Sequence, residues 1–187
     1  MMFHVTESFP FGCVKMACAS SPSLGSALEV QRVGLLPALP DGMAVDLVTA
    51  YRISFASSTP IQSFSFDFTL AECQTKGDVN SGEWLEAQSW PIGNGLLMFG
   101  TEDGESLQSR MPWLRIEGAD YPVEYMINGF RVSIPHVKPN TTVGFHFVLA
   151  YNHVDKRCDS EWFAVDVPHV KICEFPVLKH FSGANAG

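Results

Sequence analysis

Hydrophobic and polar residues alternate along most of this chain, which is the pattern of β-strands that bury one face. The clearest run is Ile61–Leu70, and a second run covers residues 47–55. The apolar face of the first run consists of Phe64, Phe66, Phe68 and Leu70. Because only residues 57–60 separate the two runs, the sequence predicts that they are adjacent antiparallel strands.

Asn128 and Gly129 lie between two further alternating runs within residues 121–137. Asn-Gly readily adopts the two positive φ angles of a type I′ turn, so these residues are predicted to form the two-residue loop of a hairpin. Such a loop pairs Ile127 with Phe130, Tyr125 with Val132, and Val123 with Ile134. Glu124 and Arg131 would then be diagonal neighbours on the opposite face, where their charges attract.

Three later segments also have the composition of strands. Residues 141–151 are largely apolar at both alternating sets of positions, which predicts a central strand covered on both sides. Residues 162–167 are predicted to form the next strand. A last strand is expected at residues 170–175, after a bend or an edge at Pro168, because proline cannot donate to a ladder.

The N-terminal part of the chain is less regular. Residues 12–18 fit a strand, whereas residues 24–35 fit a helix about as well as a strand, and we favour the strand because the rest of the chain is β. Residues 105–111 are the other place for a short helix. The runs add up to about nine or ten strands, with turn signals every ~8–12 residues and fewer than two helices of any length.

These patterns predict an all-β fold, an antiparallel β-sandwich or jelly roll, with a closed antiparallel β-barrel as the alternative. The chain has 187 residues, of which 46% are hydrophobic and 17% are charged. That is enough apolar material for one core and is unlike the composition of disordered chains. We expect a single β domain over residues 1–187, in which the small and polar residues 182–187 form a frayed tail.

The charge of the chain argues against some partners. The net charge is −8, and the densest basic spot, Lys156 with Arg157, is flanked by Asp155 and Asp159. Nucleic-acid binding is therefore not expected as the main function. No stretch has the ~20 apolar residues of a membrane-spanning helix, and the N-terminus lacks the features of a signal peptide, so a cytoplasmic protein is expected.

The four tryptophans are candidate ligand-binding residues, because an indole ring offers a large flat surface and an N–H donor. They are Trp84, Trp90, Trp113 and Trp162. Trp84 and Trp90 have the stronger claim, since they flank a loop-like stretch that ends in Pro91, and loops often carry function. The alternative interpretation is that all four rings belong to a core or to a half-buried sheet face.

His146 is the first candidate for acid–base catalysis. It lies in the middle of a predicted strand among small and apolar residues, so a pocket there would place an imidazole in an apolar cavity. His153 is the second histidine of interest, with Asp155 as an orienting carboxylate, and Tyr125 and Tyr151 are further proton-transfer candidates. The alternative is that His146 is a satisfied interior residue and His153 a turn residue.

Other chemistry has little support in the sequence. The seven-residue spacing of the two histidines does not suit a shared ion, so we assign no metal. The acidic residues 101–105 are interpreted as a solvated hairpin tip rather than a calcium loop. The five cysteines include no C-x-x-C pair and are expected to be reduced thiols. No motif for phosphate or nucleophilic chemistry occurs, and no cofactor is expected.

Three functions follow from these features. The first is a non-enzymatic binding or interaction protein whose exposed aromatic residues contact a carbohydrate, a peptide or a protein partner. The second is a small β-barrel enzyme, of isomerase or cyclase type, that encloses a small apolar ligand and uses His146 as its acid–base group. The third is an assembly subunit, such as a toxin or coat component, that forms homo-oligomers through its strands.

Overall fold

A computed structural model describes residues 3–114, 122–153 and 160–181. Its strands are β1 (Phe3–Phe9), β2 (Gly12–Ser21), β3 (Leu28–Val33), β4 (Leu47–Ala56), β5 (Ile61–Leu70), β6 (Asp78–Ser81), β7 (Glu86–Ile92), β8 (Gly95–Thr101), β9 (Val123–Met126), β10 (Gly129–Val137), β11 (Thr142–His153) and β12 (Val177–Phe181). The helices are α1 (Gly104–Arg110), α2 (Ser160–Val165) and α3 (His169–Glu174), and Gly25–Ala27 forms a 3₁₀ turn.

The strands form two open antiparallel sheets that face each other. The small sheet has five strands in the order β1-β2-β5-β10-β9, and the large sheet has seven in the order β12-β3-β4-β11-β8-β7-β6. The predicted antiparallel β-sandwich is therefore confirmed, and the closed barrel is wrong because neither sheet closes on itself. The described residues contain twelve strands, more than the nine or ten predicted, and β6 and β12 have only four and five residues.

Phenylalanine rings fill the space between the sheets. Phe68 of the small sheet stacks on Phe147 of the large sheet with ring centroids 4.7 Å apart, and Phe66 lies 5.8 Å from Phe145. All four side chains are fully buried. The alternation along β5 and β11 produces this arrangement, because each strand points every second side chain into the core. The interior beside Phe145 and Phe147 is thus occupied by side chains.

The predicted pairing of residues 47–55 with Ile61–Leu70 is wrong. The first segment is β4, which pairs with β3 and β11 in the large sheet, whereas β5 lies between β2 and β10 in the small sheet. Residues 57–60, which connect β4 to β5, cross from one sheet to the other. Phe55 and Phe64 meet across the core with their centroids 4.5 Å apart. Alternation identifies the buried face of a strand but not its neighbour, which is why the sequence pattern failed here.

The hairpin of β9 and β10 exists, but its register differs from the prediction. Gly129 pairs with Met126, so the two-residue loop consists of Ile127 and Asn128. The new pairs are Phe130 with Tyr125, Arg131 with Glu124, and Val132 with Val123. Val123, Tyr125, Phe130 and Val132 still face the core, because the shift moves each partner by two positions, but Ile127 lies in the loop and is exposed. Arg131 now faces Glu124 directly rather than diagonally.

Two features fix this register. Nδ2 of Asn128 donates to the backbone carbonyl of Leu70, and the backbone carbonyl of Asn128 accepts from the Leu70 N–H, each at 2.8 Å. Gly129 begins β10 with φ +151°, and a side chain there would collide with the carbonyl oxygen of Phe68. The glycine is therefore required for the close approach to β5, and it is not available as a turn residue.

A second layer covers the outer face of the large sheet, and we call the apolar cluster beneath it the outer core. Val148 and Ala150 of β11 contact Ala164, Val165 and Ile172 there. The prediction that β11 is a central strand covered on both sides is therefore confirmed. The strands predicted at residues 162–167 and 170–175 are wrong, because these segments are the helices α2 and α3. Short apolar runs fit either period, so the pattern could not distinguish them.

The remaining expectations have mixed outcomes. The strand at residues 12–18 is β2, and residues 24–35 contain a 3₁₀ turn followed by β3, so the strand was the better choice. The short helix at residues 105–111 is α1, which is capped by the Asp103 carboxylate accepting from the Ser106 N–H at 2.6 Å. The described residues contain three short helices instead of fewer than two. Residues 182–187 lie outside the described part.

Hydrogen bonds join the two sheets along both sides of the sandwich. On one side, Glu7 of β1 accepts from Tyr51 of β4 and from Arg32 of β3. On the other side, Tyr125 of β9 donates to Glu86 of β7. Carboxylate bonds of this kind tie the edges of the small sheet to the large sheet. None of the helices in the described ranges has the length and hydrophobicity that crossing a membrane requires.

Candidate functional site

The four tryptophans do not share one surface. Trp84 is the exposed ring, with 46% of its surface accessible. Trp90 is buried between the sheets, where its Nε1–H donates to the carbonyl of Thr75 at 2.9 Å. Trp113 packs against the margin of the same core, and Trp162, which belongs to α2, packs against the outer core. Trp84 is therefore the one of the four that is best placed to meet a ligand.

Residues 82–85 connect β6 to β7, and we call them the Trp84 loop. The Asp166 carboxylate, just after α2, accepts three hydrogen bonds from this loop, each at 2.9 Å. The donors are the backbone N–H groups of Glu83, Trp84 and Leu85. Any side chain at Gly82 would collide with Asp166. The backbone of the loop is thus held against α2 while the indole ring of Trp84 remains in solvent.

The Trp84 loop follows an exposed sheet edge. β6 is the last strand of the large sheet, and all four of its residues are exposed. Within the described residues it pairs only with β7, so its outer backbone groups face away from the sheet. Val79 is among the exposed large hydrophobic residues, and Asp78 and Glu83 give this edge acidic charge. Strand edges of this kind can accept a further strand.

A different group of side chains surrounds His146 on the outer face of the large sheet. The inward-facing neighbours Phe145 and Phe147 direct His146 to the opposite face of β11, beneath α3. Glu102 directly follows β8, the neighbouring strand of β11, and His169 is the first residue of α3. We call Glu102, His146 and His169 the His146 centre. His146 is fully buried, Glu102 is nearly so, and the His169 side chain is 13% exposed.

Three polar atoms of this centre lie close together. Nδ1 of His146 is 3.2 Å from Oε2 of Glu102 and 3.0 Å from Nδ1 of His169. The third side of the triangle, from Oε2 of Glu102 to Nδ1 of His169, measures 3.7 Å. Among the described residues, these three form a group of potential metal-ligating atoms that all lie within 4.8 Å of one another. One small cation can therefore reach all three atoms.

Neighbouring residues hold this arrangement in place. Nε2 of His146 lies 3.1 Å from the carbonyl oxygen of Val167, which can only accept, so Nε2 is the protonated nitrogen in this contact. Arg110 binds both oxygens of Glu102 at 2.6 Å and also donates to the carbonyl of Gly144 at 2.8 Å. The orientation of both groups is thus set from outside the centre.

Burial and neighbouring groups shift the pKa values of Glu102 and His169 for different reasons. Burial by itself would raise the pKa of Glu102, but the hydrogen bond with His146 and the Arg110 guanidinium outweigh it and hold this pKa at about 2. Burial lowers the pKa of His169 to about 4, although the Glu102 carboxylate opposes this. Near neutral pH, Glu102 is therefore a carboxylate and His169 a neutral imidazole.

The other proton-transfer candidates lie elsewhere. Tyr125 belongs to the small sheet and donates to Glu86, whose pKa is raised by burial and by the charge of Asp103. Tyr151 points to the side of β11 opposite to His146 and packs on Phe11. His153 is exposed and bonds to Asp46 at 2.9 Å, while its expected partner Asp155 lies outside the described residues. The structure brings none of these side chains to His146.

Two members of the His146 centre could not be identified from the sequence. Glu102 belongs to the acidic segment 101–105, which was interpreted as a hairpin tip, and His169 was not singled out. They lie 44 and 23 positions from His146. Only the pairing of β8 with β11 and the folding of α3 onto the sheet bring them together, and a local motif does not record either event.

A groove of about 850 Å³ crosses the outer face of the small sheet, on the opposite side of the sandwich from His146. Its lining is rich in hydroxyl groups, from Ser20, Ser21, Ser63, Ser65 and Ser133. Among the described residues, Glu124 is the charged member of the lining, which also includes Leu114 and Pro122. The groove thus combines serine hydroxyl groups with apolar residues such as Phe64 and Ile134, and none of the four tryptophans lines it.

No protein-family model, no curated protein and no solved structure matches this chain. The fold is an antiparallel β-sandwich with a helical outer layer.

Proposed function

We propose that this chain is a binding protein that binds an extended peptide segment of a protein partner along β6, with Trp84 as the anchoring side chain. The observation that carries this proposal is the Trp84 loop, in which three backbone hydrogen bonds to Asp166 fix a loop whose indole ring is exposed. Tryptophan is enriched at protein interfaces, because its ring combines a large apolar surface with an N–H donor.

The energetics of association favour such a residue. Tryptophan is enriched among the few interface residues that contribute most of the binding free energy. Its ring has few rotatable bonds, and the bonds from Asp166 order the loop before any partner arrives. Binding therefore loses little conformational entropy at this position, which leaves more of the contact energy as affinity.

The strand that precedes the loop supports a peptide over other ligands. β6 is an exposed edge strand, and an extended peptide can pair with such an edge through main-chain hydrogen bonds. A peptide that continues past the end of β6 would reach the Trp84 loop next. Asp78 and Glu83 lie along that path, so a peptide with basic residues would fit the charge of this edge.

The other functions considered from the sequence have less support. The barrel enzyme depended on a closed barrel with His146 in its interior, but the sheets are open and His146 lies on the outer face. Self-assembly would use the same edge strand with a second copy as the partner, and it is an outcome of the test below. We keep the cytoplasm as the proposed location, because the four cysteines of the described residues are free thiols.

The test is selection of random peptides on the purified protein, followed by affinity measurements on variants. Trp84→Ala should weaken binding of the selected peptides by about 30-fold or more, which corresponds to ~2 kcal/mol for an anchoring residue. Leu178→Ala is the matched control, because Leu178 is also an exposed apolar residue but belongs to β12, at the opposite edge of the large sheet. N-methylation of alternate peptide amides should abolish binding if main-chain pairing with β6 is used.

Three results would overturn the proposal. Peptides that bind Trp84→Ala as well as the parent protein would remove Trp84 from the site. A glycan array whose ligands need Trp84, together with failure to select any peptide, would identify a carbohydrate-binding protein instead. Concentration-dependent self-association that is lost in Trp84→Ala would show that the edge is occupied by a second copy of this chain.

A further inference from the structure

We propose that the His146 centre binds a divalent transition-metal ion, with zinc as the first candidate, through Oε2 of Glu102, Nδ1 of His146 and Nδ1 of His169. The sequence predicts no metal, because the spacing of His146 and His153 does not suit a shared ion. The site lies on the outer face of the large sheet, and this proposal does not depend on peptide binding.

The geometry of the three atoms is that of ligands around one ion. Zinc bonds to nitrogen and oxygen are about 2.0–2.1 Å long, so two ligands of a tetrahedral site lie about 3.3 Å apart. The observed separations are 3.0, 3.2 and 3.7 Å. Their mean is close to the tetrahedral value, and an ion at the centre of the triangle would need only small side-chain adjustments. Two imidazoles and one carboxylate are a common zinc ligand set.

The surroundings of the ligands also match those of metal sites. Imidazoles that bind metals nearly always donate their other N–H to a carbonyl or carboxylate, and Nε2 of His146 does so to Val167. Nδ1 of His146 faces the Glu102 carboxylate at 3.2 Å, so a positive centre between the two atoms, either a proton or a metal ion, would stabilise the pair. A proton can bridge two of the three atoms, whereas a metal ion binds all three.

The chemistry of the donors and their exposure select the kind of ion. Imidazole nitrogen favours zinc, cobalt, nickel and copper over calcium and magnesium, which prefer sites made of oxygen. His169 is the most accessible of the three ligands, so ions and a fourth ligand from solvent would enter beside it. Arg110 shares the Glu102 carboxylate, and its positive charge would make the affinity lower than that of a closed structural zinc site.

The experiment is titration of the chelator-treated protein with zinc and with cobalt, followed by calorimetry and by the visible absorption of cobalt. We expect one ion per chain and a cobalt spectrum of four-coordinate type. His169→Asn should weaken binding by about 100-fold or more, because it removes one ligand at the accessible side of the site. Glu102→Gln should do the same by removing the charged ligand.

His153→Asn is the matched control, because His153 is an exposed histidine beside a carboxylate, Asp46, and could bind zinc adventitiously. It should leave the stoichiometry and affinity of the centre unchanged. Zinc should also raise the unfolding temperature of the parent protein and of His153→Asn but not that of a folded His169→Asn variant.

The proposal is wrong if the parent protein, folded and free of chelator, binds neither zinc nor cobalt. It is equally wrong if the binding that is observed persists in His169→Asn or disappears in His153→Asn. In either case the three side chains are a hydrogen-bonded network that fastens α3 to the sheet. Since the parent protein alone can refute the proposal, a variant that fails to fold does not protect it.

Discussion

Glu7 allows a sharp test of how the two sheets are held together. Its carboxylate is only 8% exposed and accepts from Tyr51 at 2.5 Å, from Arg32 at 2.8 Å and from Lys179 at 3.3 Å. The two cations are much more exposed, at 31% for Arg32 and 51% for Lys179. The buried member of the network is therefore the anion, and the cations can return to water when their partner is lost.

This asymmetry predicts different effects for the two ends of the same ion pair. Arg32→Met leaves the Glu7 carboxylate buried with a weaker set of partners, and should lower the free energy of unfolding by about 2–4 kcal/mol. Glu7→Gln removes the buried charge, while the amide oxygen can still accept from Tyr51, so the loss should be about 1–2 kcal/mol. In a chain of this length, the two variants should melt about 6–12 °C and about 3–6 °C below the parent.

Guanidinium denaturation followed by tryptophan fluorescence measures both free energies, and the double variant completes a thermodynamic cycle. Glu7→Gln combined with Arg32→Met should be at least as stable as Arg32→Met alone, because a neutral amide does not need the cation. The reasoning is refuted if Glu7→Gln is the more destabilising single variant, or if the double variant loses the sum of both effects. Either result would mean that water or Lys179 already neutralises Glu7.

Two further predictions concern the core between the sheets. Phe147→Ala should lower the free energy of unfolding by about 3–5 kcal/mol, because the ring is fully buried and stacks on Phe68. Ile127→Ala, at the exposed hairpin loop, should change it by less than about 0.5 kcal/mol. Equal effects of the two variants in denaturation would contradict this packing. Burial and the charge of Asp67 raise the pKa of Cys18 from 9.0 to about 12. At about pH 8, iodoacetamide should therefore label the exposed Cys173 but label Cys18 only after unfolding. Similar labelling rates for both cysteines in the folded protein, measured by mass spectrometry, would refute this prediction.

Local pattern was enough for some elements and not for others. The bounds of β5 and the buried face of β11 follow from alternation, because a residue's side of a sheet depends only on its position in the strand. Which strand lies beside β4 depends on contacts across the whole chain, so its pairing was mispredicted. The helices α2 and α3 are six residues each, too short for the helical period to emerge from the apolar residues.

The candidate sites divide in the same way. The sequence selects Trp84 and Trp90 alike, because they flank a loop-like stretch that ends in Pro91, but the structure leaves Trp84 exposed and buries Trp90. His146 could be identified as an interior histidine from its place in an apolar strand. Its partners could not be identified, since Glu102 and His169 are brought to it by strand pairing and by the packing of α3, which are properties of the fold rather than of any segment.

The short connection between α2 and α3 links these two sites. Asp166 holds the Trp84 loop, Val167 accepts from His146, and His169 belongs to the His146 centre, all within four consecutive positions. An ion that fixed His169 would also restrict the backbone at Asp166 and thereby the loop that carries Trp84. Coupling between two ligands is reciprocal, so a metal ion that strengthened peptide binding would itself be held more tightly, by the same factor, when the peptide is bound.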